Sequence, residues 1–172
     1  MKRKIIFLLP LFLMLVSCAN FNISLFPQTK PLKEKLIEGQ GRPKILLLDL
    51  DGVISFGVKK TLLGVGGPSP VDYFREALRK AGKDKDLAGL VIRINSPGGG
   101  VTASDTIYHE IENFKREKKV PVYAYIMDVG ASGAYYVASA ADRIIASPTG
   151  LVGSIGVIAM KFNIQGLMSR IG

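Results

Sequence analysis

Residues Pro121 to Tyr136 read PVYAYIMDVGASGAYY, an apolar strand pattern that runs directly into a helical run of small residues. This change from strand to helix places the Ser132 hydroxyl on a sharp turn between Gly130 and Gly133. Small neighbours would let a substrate backbone approach the serine oxygen, and a helix start offers free N–H groups to a developing negative charge. Ser132 is therefore a candidate nucleophile. The same residues are equally consistent with a small-residue helix that packs tightly on a sheet.

The chain around this stretch alternates between strand and helix patterns from Lys44 onward. Strands are predicted at 45–50, 87–94, 121–127, 143–146 and 154–160, and helices after Ser69, from Ser104 or Asp105, after Ser132 to about Ala141, and from Ile164. This alternation predicts an α/β fold with a mostly parallel sheet and flanking helices. In such folds the functional groups collect beyond the carboxyl ends of the strands.

A second glycine-rich turn, NSPGGG at Asn95 to Gly100, follows another predicted strand. Because both turns lie at carboxyl strand ends, we expect them to meet in space. Gly98 and Gly99 are candidate oxyanion donors, since glycine allows backbone N–H groups to point into a cleft. A simple tight turn is the alternative. Phosphate binding is disfavoured, because the Lys-Ser/Thr ending of a phosphate-binding loop is missing.

The first 18 residues have the pattern of an export signal. The basic residues Lys2 to Lys4 precede twelve apolar residues, Ile5 to Val16, which are too few to span a bilayer, where about 20 are needed. The run ends in LVSC at Cys18, the only cysteine, and resembles a bacterial lipoprotein signal. That resemblance implies that residues 1–17 are a signal peptide and that Cys18 is lipidated. Residues 18–43, rich in Pro, Gly and charge, are predicted to form a flexible tether.

Composition and charge narrow the class of protein. The 172 residues, 48% hydrophobic and 22% charged, suit one globular domain, assigned to 44–172. The net charge is +9, and three of these charges belong to the export signal, which leaves +6. The remaining basic residues are scattered and have no aromatic residues interleaved, so nucleic acid is disfavoured as a partner. Attraction of this positive charge to anionic lipid headgroups fits the N-terminal signal better, and the resemblance of that signal to a lipoprotein signal implies a membrane-anchored lipoprotein on the exported side of the bacterial cell envelope.

Three motifs in order, NSPGGG, GASGAYYVASAAD and PTGLVGSIGV, resemble the signal peptide peptidase A family, also called peptidase family S49. Members are Ser-Lys proteases of the Clp protease/crotonase superfamily. The resemblance covers about residues 44 to 172. It implies Ser132 as the nucleophile, N–H groups of the Gly98-Gly99 turn as oxyanion donors with Gly133 beside them, signal peptides or other membrane-associated peptides as substrates, and a homo-oligomer. It implies no cofactor and no metal.

The general base is where the chain departs from the family pattern. The family carries a lysine in a Ser-Gly-Lys segment downstream of the helix that begins near Ile164, and this chain ends at Gly172. We therefore expect the 172 residues alone to be inactive. Lys161 is the nearest downstream substitute, but a solvated lysine at a strand end is the simpler interpretation. His109, the only histidine, precedes Ser132 and falls off the apolar face of its helix, which favours a Ser-Lys enzyme over a histidine-based one.

Two other functions remain open at the level of sequence. A non-catalytic peptide-binding protein would result if the base is truly missing. The stretch LLLDLDGV also matches the first motif of haloacid-dehalogenase-type phosphatases, in which Asp49 would be the nucleophile and Asp51 the acid/base, with Mg²⁺. A buried strand that ends in an Asp-Gly turn is the simpler interpretation, because Asp128 and Asp142 have no second acid nearby.

Overall fold

The computed structural model describes residues 32–57, 60–61, 64–65 and 67–172. The elements are β1 (Lys44–Asp51), β2 (Lys60–Thr61), β3 (Gly64–Val65), α1 (Pro70–Gly82), β4 (Leu87–Ser96), α2 (Val101–Lys118), β5 (Val122–Ala131), α3 (Gly133–Ala138), β6 (Arg143–Ala146), β7 (Leu151–Gly153) and α4 (Gln165–Ile171). The export signal, Cys18 and the first part of the tether lie outside the described residues. Within the described residues, no helix has both the length and the apolar character needed to cross a bilayer.

The main sheet is parallel and has the strand order β1-β4-β5-β6. β7 pairs in parallel with the last residues of β5, beyond the point where β6 ends. A separate antiparallel pair, β2 and β3, lies in the loop before α1. The predicted α/β architecture with a mostly parallel sheet is confirmed, and the two glycine-rich turns both follow the carboxyl ends of neighbouring strands.

The core lies between one face of the sheet and the helices α1, α2 and α3. In register across the strands, Leu50, Ile94 and Ile126 are buried in a row. Apolar side chains from α1 and α2 pack on this face, among them Phe74 and Ile111. Removal of this apolar surface from water is the main force that holds the helices to the sheet.

The opposite face of the sheet carries the side chains that alternate with the buried ones. Leu47, Tyr123, Tyr125 and Met127 each keep a little over a third of their surface exposed. The described residues therefore form two layers, with α1–α3 packed on one face of the sheet.

Two boundaries differ from prediction at functionally important places. α2 begins at Val101 with Gly100 at its N-cap, rather than at Ser104 or Asp105. Ser104 instead lies in the first turn, where its hydroxyl donates back to the Gly100 carbonyl. α3 ends at Ala138, three residues earlier than predicted.

The predicted strand at 154–160 is wrong. The strand here is β7, at Leu151–Gly153, and residues 154–164 form neither helix nor strand. Positive φ angles of 131° at Gly153 and 51° at Ser154 stop the extended backbone. Alternating apolar residues after Ser154 resemble a strand, but pairing with Val129–Ala131 places the strand earlier in the chain.

Candidate active site

Ser132 lies at the sharp junction between β5 and α3. Its backbone has φ 52° and ψ −124°, a conformation that is strained for any residue except glycine. The Ser132 N–H donates to the Gly153 carbonyl of β7 at 2.9 Å, and the Ser132 carbonyl accepts from Tyr136 N–H at 3.1 Å. The pairing of β5 with β7 and the first turn of α3 therefore hold the serine in this conformation.

The two glycine-rich turns meet, as predicted. A Cβ atom built on Gly98 would lie 3.0 Å from Ser132 Cβ, 2.8 Å from Gly133 N and 2.8 Å from the Ala131 carbonyl oxygen. Gly98 also has φ 95°, which glycine adopts without strain. No larger residue fits at position 98, because backbone atoms of the serine turn occupy the space.

Two backbone N–H groups beside Ser132 have no hydrogen-bond partner within the described part of the chain. They belong to Gly99 and to Gly133, the first residue of α3. A Cβ atom built on Gly133 would be 3.5 Å from Gly99 N, so the two amides lie close together. The Gly98 N–H differs, because it donates to Ser96 Oγ at 3.1 Å. Free paired amides next to a serine hydroxyl are the arrangement that stabilises an oxyanion.

The turn at Gly98 to Gly100 rests on the loop that follows β1. Ile54 N–H donates to the Gly98 carbonyl, and the Ile54 carbonyl accepts from Gly100 N–H, both at 2.9 Å. A Cβ atom on Gly99 would lie only 2.1 Å from the Ile54 carbonyl oxygen. Ile54 is fully buried, so this loop cannot move aside easily.

α3 is also fixed against α2. Gly133 packs so closely on Ser104 that an added Cβ would lie 2.3 Å from Ser104 Oγ. One turn later, the Tyr136 hydroxyl donates to Asp105 at 2.8 Å, and its ring stacks on Tyr108 with 4.8 Å between centroids. The bond to Asp105 raises the pKa of Tyr136 above its ordinary value of 10.0. These contacts fix the helix start that carries Ser132.

The other side of Ser132 is open. Its Oγ is 3.5 Å from the Gly156 carbonyl, and within the described residues no lysine or histidine bonds to it. Gly156 belongs to the irregular segment 154–164, in which Ile158 is 91% exposed and Lys161 is also exposed. His109 lies on α2 and contacts Asp105 at 3.5 Å. The structure therefore does not bring either predicted substitute base to the serine.

Asp49, the nucleophile in the phosphatase alternative, forms an ion pair with Arg93. Both Asp49 oxygens accept from Arg93, at 2.7 and 2.9 Å, and this contact raises the pKa of Arg93 above its ordinary value. Among the described residues, no group of three or more His, Cys, Asp or Glu side chains could hold a metal ion. Asp49 thus acts as an ion-pair partner between neighbouring strands, and the geometry gives the phosphatase interpretation no support.

Ser96 and Ile54 are two residues of this site that the sequence reasoning missed. The Ile54 side chain has no reactive group, the Ser96 hydroxyl belongs to a buried residue, and their contacts join parts of the chain more than 40 residues apart. Only the register of β1 against β4 reveals them. The available signal was in the NSPGGG motif, where Ser96 precedes Gly98 by two residues and can accept a hydrogen bond from its amide.

Known proteins are similar to this chain in sequence. The model of peptidase family S49 matches residues 114–172. The chloroplastic serine protease SPPA of Arabidopsis thaliana is 39% identical over 132 residues, which are 77% of this chain and 19% of that protein. Protease 4 of Haemophilus influenzae is 35% identical over 129 residues, 75% of this chain and 20% of that protein. The chain thus spans about a fifth of the length of these two relatives.

Among the solved structures that share the fold is that of a protease. It is the 1510-N membrane-bound stomatin-specific protease, with a TM-score of 0.54 at 20% identity over 69% of this chain and 51% of that chain. The same protease has been solved as a lysine-to-alanine variant in complex with a substrate peptide. This similarity, together with the parallel sheet, confirms the predicted fold class.

Proposed function

The chain belongs to peptidase family S49, and on that premise we propose that the whole protein is a membrane-associated serine protease with Ser132 as its nucleophile. Its substrates are signal peptides or other membrane-associated peptides bound in extended form. The observation that carries the proposal is the strained Ser132 turn with the free N–H groups of Gly99 and Gly133 beside it. A turn that only packed α3 on the sheet would need neither the strain nor the free amides.

The proposed reaction follows from these groups. Ser132 Oγ attacks the carbonyl carbon of the scissile peptide bond and gives its proton to the base. The carbonyl oxygen becomes negative and accepts hydrogen bonds from the Gly99 and Gly133 amides. When the C–N bond breaks, the leaving amine takes the proton from the base. Water, deprotonated by the same base, then hydrolyses the acyl-serine and restores the hydroxyl.

Gly98 has a supporting role in this scheme. Since its own N–H is bound to Ser96 Oγ, Gly98 does not serve as an oxyanion donor. Its lack of a side chain instead lets the two turns come together. We assign the donor pair to Gly99 and Gly133, a narrower assignment than the Gly98-Gly99 pair expected from sequence.

A lysine downstream of α4 is our proposal for the base. The family resemblance supports it, as does the lysine variant of the related protease, which was solved with a substrate peptide. A lysine acts as a base only where burial lowers its pKa, and Lys161 lies in an exposed segment. The open side of Ser132, next to Gly156, is where such a lysine would enter.

A second candidate function is peptide binding without cleavage. It is favoured by one observation, that no basic group among the described residues bonds to Ser132 Oγ. In that case the two free amides would hold a peptide carbonyl, and no acyl-serine would form. Reaction of Ser132 with an active-site probe distinguishes the two functions.

The test is fluorophosphonate labelling of the full-length protein, compared with Ser132→Ala and Ser139→Ala. Ser139 is a control because it directly follows α3. Its hydroxyl donates only to the Tyr136 carbonyl. We expect labelling of the wild type and of Ser139→Ala, and none of Ser132→Ala. Peptide cleavage should fall by about 10⁴-fold to 10⁶-fold in Ser132→Ala. Equal labelling of Ser132→Ala and wild type would refute the assignment.

Membrane attachment is a separate proposal. Residues 1–17 are an export signal, Cys18 carries the lipid, and residues up to 43 tether the domain 44–172 on the exported side of the envelope. The LVSC sequence supports it, and the related solved protease is itself membrane-bound. Cys18→Ala should move the protein from the detergent phase to the aqueous phase. Unchanged partitioning would contradict lipidation. Assembly into a homo-oligomer likewise stays a proposal, carried by the family resemblance.

A further inference from the structure

We propose that Ser96 is a positioning residue whose buried hydroxyl holds the Gly98-Gly99 turn so that the Gly99 N–H faces the oxyanion site. The catalytic consequence of this inference depends on the proposed protease function, whereas its geometric basis does not. Ser96 is the last residue of β4 and stands in register with Gly130 of β5, two residues before Ser132.

The Ser96 hydroxyl makes two hydrogen bonds, of which the one to Gly98 is buried and the one to Gly52 is partly buried. It donates to the Gly52 carbonyl at 2.6 Å and accepts from Gly98 N–H at 3.1 Å. Ser96 is fully buried, and the bond to Gly98 is buried as well. Removal of the hydroxyl would leave the buried Gly98 N–H without a partner and take the donor from the partly buried Gly52 carbonyl, so the turn would have to rearrange to satisfy the Gly98 N–H.

The orientation of Gly99 N–H depends on what holds the two peptide groups that flank Gly98. Ser96 holds the peptide before Gly98 through the Gly98 N–H. Ile54 N–H holds the peptide after it through the Gly98 carbonyl. Because a trans peptide is planar, the Gly99 N–H points opposite to that carbonyl, away from Ile54. Gly98 is free to rotate as only glycine is, so both anchors are needed to fix the amide.

This arrangement gives the LLLDLDGV stretch a structural role. The stretch ends in a turn whose Gly52, at φ 75°, presents its carbonyl to Ser96, and Ile54 follows two residues later. The segment that resembles a phosphatase motif is therefore the support on which the oxyanion turn rests. Gly52 provides the backbone conformation of this turn. Asp49 and Asp51 have no assigned role at the serine site.

The test compares Ser96→Ala with Ser69→Ala in the full-length protein. Ser69 is a matched control because it is also buried, and its hydroxyl also donates one hydrogen bond and accepts one, both with Asp72. Those bonds cap α1, far along the chain from the serine turn. Ser96→Cys, which keeps the shape and weakens both hydrogen bonds, serves as a milder variant if Ser96→Ala folds poorly.

Two readouts separate positioning from simple loss of stability. In peptide cleavage, we expect kcat of Ser96→Ala to fall by about tenfold to 100-fold with KM changed by less than about twofold, and Ser96→Cys to lie between. Ser69→Ala should keep wild-type kcat. In hydrogen exchange, peptides that cover residues 96–100 should exchange about fivefold faster or more in Ser96→Ala, and at the wild-type rate in Ser69→Ala.

The results that would overturn the inference are equally definite. Wild-type kcat in Ser96→Ala, or equal losses in Ser96→Ala and Ser69→Ala, would show that the hydroxyl contributes only to stability. Unchanged exchange over residues 96–100 would show that it does not hold the turn. If the wild type itself cleaves no peptide, the proposed function fails, and the exchange comparison still decides whether Ser96 fixes the turn.

Discussion

The two sides of Ser132 are built in opposite ways. On one side, the Gly98–Gly100 turn is held by Ile54, Ser96 and Ser104, all of them buried. On the other side, Ser132 faces segment 154–164, whose apolar side chains are mostly exposed. The difference teaches that the proposed oxyanion donor at Gly99 is held by residues of the core, whereas within the described residues no lysine or histidine bonds to Ser132 Oγ on the other side.

Of the variants that test this comparison, Gly99→Ala is expected to have the largest effect on cleavage and stability. The new Cβ would lie 2.1 Å from the buried Ile54 carbonyl oxygen, so the backbone that carries the proposed oxyanion donor must shift. We expect peptide cleavage to fall by about 100-fold or more and the free energy of unfolding to fall by about 1–3 kcal/mol. Steady-state kinetics and urea unfolding measure the two effects.

Gly156→Ala is the matched change on the open side of Ser132. A Cβ atom there would meet nothing within 4 Å. We expect the free energy of unfolding to change by less than about 0.5 kcal/mol. Equal destabilisation by the two alanines would mean that both sides of the serine are braced alike, and the comparison would be wrong.

Ile126 and Ile158 extend the comparison from backbone to side chains. Ile126 is fully buried, whereas Ile158 is 91% exposed. Ile126→Ala should lower the free energy of unfolding by about 2–5 kcal/mol, and Ile158→Ala by less than about 0.5 kcal/mol. Urea unfolding of both variants gives the values. A loss above about 1 kcal/mol for Ile158→Ala would show that segment 154–164 is covered by other apolar surface in solution.

Substitution of Asp142 is expected to have the smallest effect, a change in how the stability of the protein depends on pH. Its carboxylate accepts from Val122 N–H at 2.8 Å and lies 3.0 Å from Lys115 Nζ, and these contacts lower its pKa below the ordinary 3.8. Because the folded pKa is below the unfolded one, this contribution to stability is complete above the unfolded pKa and is lost as the pH falls through the folded pKa. Asp142→Asn should therefore lower stability near neutral pH and flatten its decline in acid.

The measurement is the free energy of unfolding of both proteins between neutral pH and about pH 2, a range that brackets the ordinary pKa of aspartate. The two curves should converge at the acid end. Curves that stay parallel across the whole range would show that Asp142 acts as a neutral hydrogen-bond acceptor only. Cleavage activity at neutral pH should not follow this change, because Asp142 lies immediately before β6, beside the start of β5, and not at the serine turn.

Local sequence patterns predicted the parts of the fold that depend on neighbouring residues. Ser69 and Pro70 start α1 as expected, because a capping hydroxyl and a proline in the first turn act within a few residues. Ser132 lies at the strand-to-helix turn for the same reason. The Ser96–Gly52 bond could not be predicted, since it joins residues 44 apart through the register of two strands. The strand at 154–160 was wrong because alternation of apolar residues does not say which of two adjacent segments will pair.

The backbone conformation of Ser132 also has an evolutionary consequence. A non-glycine residue at φ 52° and ψ −124° carries about 1–3 kcal/mol of strain, and glycine would relieve it at once. In a lineage released from selection for the proposed peptide cleavage, replacement of this serine by glycine would therefore add stability. Gly98 and Gly99 would persist, because close packing forbids larger residues at those two positions. Decay of the activity would leave a recognisable trace, an intact glycine turn facing a glycine at 132. In this chain the residue at 132 is serine.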